Sequence, residues 1–359
     1  MTVYLIGIAY IIIAPLFFSQ LTKDENKSRK WYIFSVCTMF TLLTGLRSLK
    51  VGADTLNYQI SYDLVANTSW RSLLNNFSNY IHATGGMLQN NDFRDPAYDL
   101  FVKLTQAVCY NYRFYMLVIG LIFNIPLGIW VYKNSKKPYI TFLAYFVINY
   151  SFYGTTGYRQ TIAFLLATFV GYKFIKERRL IPFLLVIAIA FFFHKSVLIV
   201  VLFYFLANKK ITPPYAICAL LGIGVIFVYR AQFSEFWKNI SGYGAMYTGQ
   251  YEGAGTWTFT IMLISVLIVS LIFKDQILNY DQQATKYINA IILAVVFLPL
   301  TFVNPSAMRV VEYFSIYFTL LLPDLICIFK DKERNIAGMV VIVTLVMLYL
   351  KSGQIYYFM

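Results

Sequence analysis

The sequence predicts an all-α, polytopic integral membrane protein of about twelve membrane segments, and three observations lead there. Of its 359 residues, 59% are hydrophobic and only 13% charged, whereas a soluble domain is about half apolar and roughly a quarter charged. The apolar residues gather in runs, of which 180–193 and 337–350 carry almost no polar side chain. The basic residues recur in short loops after alternate runs, the pattern of positive-inside placement. So large an apolar excess does not fit inside one globular core. The bilayer takes it, and because backbone in lipid must satisfy its own hydrogen bonds, helices are the spanning element.

Taken in order, the apolar runs place segments at 2–18, 31–46, 114–132, 139–152, 157–175, 180–193, 196–208, 213–230, 257–273, 286–304, 308–329 and 336–351. The first, Thr2–Phe18, has no basic stretch before it and no small-residue cleavage site after it, so it reads as a span and not as a removable signal. Eighteen of the 30 basic residues fall in alternate loops: Lys23, Lys27, Arg29, Lys30, Lys133, Lys136, Lys137, Lys173, Lys176, Arg178, Arg179, Lys209, Lys210, Lys274, Lys286, Lys330, Lys332 and Arg334. That side is expected to be cytoplasmic, with both termini outside. The runs 180–193 and 196–208 are short for spans and meet at His194-Lys195. They form either a tight hairpin or two re-entrant half-helices that turn around a cavity within the membrane.

The chain thus reads as a single transmembrane domain over 1–359, with a long outer loop at 47–113 and a second, rich in Gly, Tyr and Trp, at 231–256. Within the first loop, Asp95-Pro96 is a good helix start. Ala97, Leu100, Phe101, Leu104, Ala107 and Val108 then mark an apolar face, with Asp99, Lys103 and Gln106 opposite. The spacing predicts an amphipathic helix over 96–110, too short to cross and expected to lie flat on the outer interface.

The +14 net charge does not imply a nucleic-acid partner. The basic residues are divided among short loops and build no continuous groove with interleaved aromatics. Cys37, Cys109, Cys218 and Cys327 stand singly; three read as small membrane-buried residues and Cys109 as part of the amphipathic segment. No GxxxxGK[ST], GxGxxG, HExxH or GxSxG string occurs, so nucleotide, zinc-hydrolase and serine acyl-transfer chemistry have no sequence handle.

Twelve basic residues remain for the outer side, and three sit at span ends: Arg47, Arg159 and Arg309. One arginine there is explained by snorkelling to lipid phosphate. Three at one face point to an anionic ligand, since guanidinium is permanently charged and forks onto phosphate oxygens. Carboxylates are scarce at that face. Asp54 is seven residues past Arg47, and Glu312 is one helical turn after Arg309, where an intrahelical ion pair is the bland alternative. His194 lies between the two short runs and can serve as a general base near neutral pH; a structural role is the alternative.

These residues fall into a recognisable pattern. Gly45-Leu46-Arg47 with Val51-Gly52-Ala53-Asp54-Thr55-Leu56-Asn57-Tyr58, then Asp95-Pro96-Ala97-Tyr98, Tyr158-Arg159-Gln160, His194-Lys195-Ser196 and Arg309 with Tyr313, together resemble the EpsG family of Wzy-type polysaccharide polymerases. The resemblance implies a glycosyltransferase in a bacterial plasma or inner membrane with its active site facing outward, making exopolysaccharide, capsule or O-antigen. It would join oligosaccharide repeat units carried on undecaprenyl pyrophosphate, without metal or cofactor. Membrane lipids would surround it, and a flippase and a chain-length regulator would be its protein partners. On this reading Arg47, Arg159 and Arg309 hold pyrophosphate, His194 and Asp54 are catalytic, and Tyr58, Gln160, Lys195, Glu312 and Tyr313 are further substrate-binding candidates. Asp95 stands where the family more often has glutamate and receives no catalytic role. The rivals are a flippase or transporter of the lipid-linked oligosaccharide and a glycan ligase.

Overall fold

The computed structural model describes residues 2–82, 95–241, 257–303, 307–352 and 355–358. Among them helices are the regular elements, and the only β-type pairing is an isolated bridge between Arg47 and Phe358. Among the described residues every apolar run of the sequence lies mainly on helix. By length and composition five helices can cross a bilayer: Thr2–Leu21, Tyr112–Asn134, Ala284–Phe302, Met308–Cys327 and Asp331–Ser352. A sixth arises if Trp257–Ile272 and Lys274–Tyr280, bent by 78° at their junction, count as one. Pro138–Ile148, Leu180–Phe191, Lys195–Leu206 and Pro213–Val228 are apolar but shorter than the roughly 20 residues a hydrocarbon core asks for. The Thr2–Leu21 and Asp331–Ser352 helices expose Ile6, Ile13, Leu16, Met339, Val340 and Met347. Apolar helices with apolar residues on the outside suit lipid as their surroundings.

The chain forms two compact units: Met1–Thr68, Asp99–Leu165 and Leu322–Met359 in the first, Ser69–Tyr98 and Leu166–Leu321 in the second. In the first, Glu25–Gly45 packs along Tyr112–Asn134. A side chain at Gly120 would stand 3.1 Å from the Thr41 carbonyl oxygen, so a small residue lets the two backbones close up. Asp24 and Asn111 cap these helices by accepting from the amides two and three residues on. At the basic end, Arg29 donates to the Tyr132 and Ser135 carbonyls that close the neighbouring helix (2.8 and 2.6 Å), placing a cation at a helix C-terminus. An aromatic core fills the middle: Phe40 stacks on Phe146 at 5.3 Å and Tyr153 on Phe164 at 4.2 Å.

The segment 47–113, expected as an outer loop, holds more structure than one amphipathic helix. Thr55–Ala66 and Trp70–His82 are helical, as is Pro96–Val108, close to the 96–110 expected. In the first unit, Lys103 donates to the Val65 and Ala66 carbonyls (3.2 and 2.8 Å) and Gln106 to that of Tyr62 (2.6 Å), while Leu104 and Val108 are exposed. The polar face meets protein and the apolar face is open. The segment 231–256, expected as a second outer loop, also starts as helix, Arg230–Ser241; the rest of it, 242–256, lies outside the described residues. Cys37 and Cys327 are buried and Cys109 is exposed. Cys218 is also exposed, on the apolar Pro213–Val228 helix.

In the second unit the Ala284–Phe297 helix is buried along nearly its whole length. Asn289 sits inside it and donates to the carbonyls of Leu206, Ala207 and Lys209 at 3.0, 3.0 and 2.8 Å. These close the Val200–Leu206 helix, whose last carbonyls have no partner within the helix itself.

Candidate active site

The candidate residues fall in both units. In the first unit, Arg47 follows the Glu25–Gly45 helix, and the C-terminal segment pins its backbone. Phe358 bridges Arg47, Ser48 N donates to Tyr357 O (2.7 Å) and Tyr356 OH donates to Leu43 O (2.8 Å). Gly52 takes φ +92°, and a side chain there would stand 2.0 Å from the Thr155 carbonyl. Only glycine combines that conformation with that approach.

The Arg47 side chain is 0% exposed. Its guanidinium donates to Val51 O, Thr55 Oγ1 and Tyr158 OH and lies 5.4 Å from the Tyr158 ring centroid. Tyr158 stacks at a tilt on Tyr58 (4.9 Å), and the guanidinium of Arg159, a partly buried residue, lies 5.9 Å from the Tyr58 ring. Gln160 is buried in the next position. Asp54 occupies the N-cap position of Thr55–Ala66 without capping it. The unit therefore gathers Arg47, Tyr58 and Arg159 around one tyrosine, Tyr158. Arg47 is enclosed by oxygens and a ring face, and Arg159 keeps partial access to solvent.

In the second unit the apolar Leu180–Phe191 helix stops and the chain turns. His194 N donates to Ala190 O (3.0 Å), His194 itself is extended, and a 3₁₀ turn runs over Lys195–Ile199. Irregular backbone among apolar helices survives where protein covers it, and His194, Lys195 and Ser196 are all buried. Asp95 meets this turn. Ala97 N donates to Phe192 O (3.2 Å), Tyr80 OH donates to Asp95 Oδ1 (3.1 Å), and that same oxygen stands 3.7 Å from His194 Nδ1. Lys195 Nζ lies 4.4 Å from the Tyr80 ring centroid. The Ser196 and Tyr313 hydroxyls are 3.1 Å apart. One turn of helix holds Arg309 and the buried Glu312, whose charged neighbour is Arg309.

The second unit thus brings His194, Lys195 and Tyr313 into one cluster with two residues the sequence left unassigned, Asp95 and Tyr80. Asp95-Pro96 was visible as a helix start, but nothing local ties it to His194, 99 positions away. Tyr80 sits in a helix the polar loop concealed. In the first unit, Tyr158 was visible only as the neighbour of Arg159, and Thr55 only as part of the loop string. The chemistry at hand is fixed positive charge, an imidazole beside a carboxylate, and hydroxyls. Among the described residues no group of three or more His, Cys, Asp or Glu could hold a metal ion.

No curated protein and no solved structure matches the chain. A family model does match. It is that of the EpsG family, over residues 30–356, and it suggests a polymerase-type membrane protein of polysaccharide biosynthesis.

Proposed function

The chain belongs to the EpsG family, and from that premise we propose that it is a polysaccharide polymerase. It joins oligosaccharide repeat units carried on undecaprenyl pyrophosphate, at the outer face of the bacterial plasma or inner membrane and without a metal. The observation that carries this reading is the family match, which spans every candidate site residue. The leaving group is a lipid pyrophosphate. Its departure needs charge stabilisation, which fixed guanidinium groups supply.

In this proposal Arg159 and Arg309, both partly buried with some exposure, contact the pyrophosphate oxygens. Arg47, enclosed by Val51, Thr55 and Tyr158, braces the turn that presents Arg159; contacting pyrophosphate itself would require it to exchange those partners. His194 takes the proton of the acceptor hydroxyl, and Asp54 orients sugar or cation. Tyr58, Gln160, Lys195, Glu312 and Tyr313 shape the surroundings. The short helices on either side of His194 act as re-entrant halves, the Pro96–Val108 helix lies on the outer interface, and about twelve segments in all enter the bilayer. A flippase and a chain-length regulator are the expected protein partners.

The test is reconstitution with purified lipid-linked repeat units. Arg159→Ala and Arg309→Ala, each folded, should lose roughly 10²-fold or more in the rate of chain extension, the scale of one lost charge-stabilising contact. Unchanged extension by both variants would remove the pyrophosphate role.

A further inference from the structure

We propose that Asp95 is a positioning residue for His194: its buried carboxylate keeps the imidazole proton on Nδ1, so that Nε2 is the nitrogen that receives the acceptor proton. The inference rests on the reading of His194 as the base.

Three separate stretches build the arrangement. Asp95 precedes the Pro96–Val108 helix, Tyr80 comes from the Trp70–His82 helix, and His194 from the turn after Leu180–Phe191. Asp95 is 2% exposed and His194 3%. A carboxylate at that depth is unfavourable unless it is hydrogen-bonded and has a basic partner: Tyr80 OH stands at 3.1 Å and His194 Nδ1 at 3.7 Å from the same oxygen, and Lys195 is its basic neighbour. Tyr80 also donates toward the Phe191 carbonyl (3.2 Å), which ties the carboxylate to the end of the helix that delivers His194. Asp95 adopts φ +49°, a left-handed backbone that aspartate tolerates at a cost and that surrounding structure must hold in place. If Asp95 only began a helix, neither that backbone nor a carboxylate turned to the imidazole would be needed. The 3.7 Å spacing is longer than a hydrogen bond, as catalytic contacts often are before substrate binds.

In the step itself, the acceptor oxygen forms its bond to the donor sugar's anomeric carbon while the bond from that carbon to pyrophosphate breaks. The pyrophosphate leaves with the electron pair, and the hydroxyl proton passes to His194 Nε2. Asp95 stays ionised throughout and stabilises the imidazolium, then the proton is released to water.

The experiment pairs turnover with a direct view of the ring. The chain has two histidines, so His82→Gln with ¹⁵N-histidine labelling leaves His194 as the sole signal. We expect the Nδ1–H tautomer in the parent protein and a population of the Nε2–H tautomer in Asp95→Asn. In reconstituted extension assays Asp95→Asn, which preserves an acceptor for Tyr80, should lower kcat roughly 10²-fold with KM little changed, and Asp95→Glu should restore part of it. The same tautomer in both proteins, or a normal kcat for Asp95→Asn, overturns the proposal. If Asp95→Asn does not fold, Asp95→Glu carries the test: a folded Asp95→Glu protein in the Nε2–H tautomer overturns it equally. A parent protein that fails to lengthen glycan defeats the polymerase reading alone, since the tautomer comparison still decides the Asp95–His194 relation.

Discussion

Replacing Arg47 with methionine separates a structural brace from a direct ligand. Methionine fills most of the space of the side-chain stem and removes the guanidinium. Its three acceptors are not equally stranded. Val51 O keeps the Thr55 hydroxyl at 2.6 Å, and that hydroxyl also lies 3.3 Å from Thr155 O. Tyr158 OH is the group that gives up its charged donor, and the Tyr158 ring loses the cation on its face. Hydrogen bonds to a charged group contribute about 1.5–3 kcal/mol each. With one such bond lost outright and two partly compensated, Arg47→Met should destabilise the first unit by roughly 2–4 kcal/mol. Tyr158→Phe, which leaves the buried guanidinium short of one acceptor, should destabilise by about 1.5–3 kcal/mol. The double variant should fall short of the sum by about 1 kcal/mol or more, because both changes remove one shared contact. The assay is thermal unfolding of detergent-purified protein followed by tryptophan fluorescence, alongside chain extension. An Arg47→Met protein with parental Tm but no extension would refute the brace and make Arg47 a direct ligand.

Other substitutions follow from the same geometry. Gly52→Ala places a methyl group against the Thr155 carbonyl at φ +92° and should cost about 2 kcal/mol or more, read as a lower Tm or loss of monodisperse protein. Asn289→Leu removes the donor to three helix-closing carbonyls, an expected loss of roughly 2–4 kcal/mol in the same unfolding assay. Ser196→Ala and Tyr313→Phe should each destabilise by about 1 kcal/mol, and a double-mutant cycle should show them coupled, since their hydroxyls share one bond. A membrane-impermeant maleimide applied to intact cells should label Cys109, which is exposed, and spare the buried Cys37 and Cys327. Labelling of Cys109 only after lysis would reverse the proposed orientation.

Hydrophobic runs made most of the helices legible. A stretch such as 337–350 has few alternatives to helix in lipid, and among the described residues each run lies mainly on helix. The Thr55–Ala66 and Trp70–His82 helices were hidden because they carry so many polar residues that no run of hydrophobicity marks them. In the second, the spacing of Leu73, Phe77 and Tyr80 was the available signal. Among site residues, Arg47 was visible as a cation at a span end, but its burial was not. That depends on Tyr158, 111 positions away, and on a C-terminal segment that folds back to Ser48. The tie between Asp95 and His194 was equally out of reach, since charge and period along a chain say nothing about contacts between distant turns. Asp95 read as a cap because its local context suits one, and only the fold brings it to the imidazole.

A polymerase of this kind lengthens a lipid-linked glycan. Purified protein in proteoliposomes, supplied with undecaprenyl-pyrophosphate-linked repeat units and no other enzyme, should convert them into a ladder of products spaced by one repeat unit on a gel. Repeat units that cross the liposome membrane without growing, or that pass once to a foreign acceptor and stop, would rule out a polymerase and identify a flippase or a ligase.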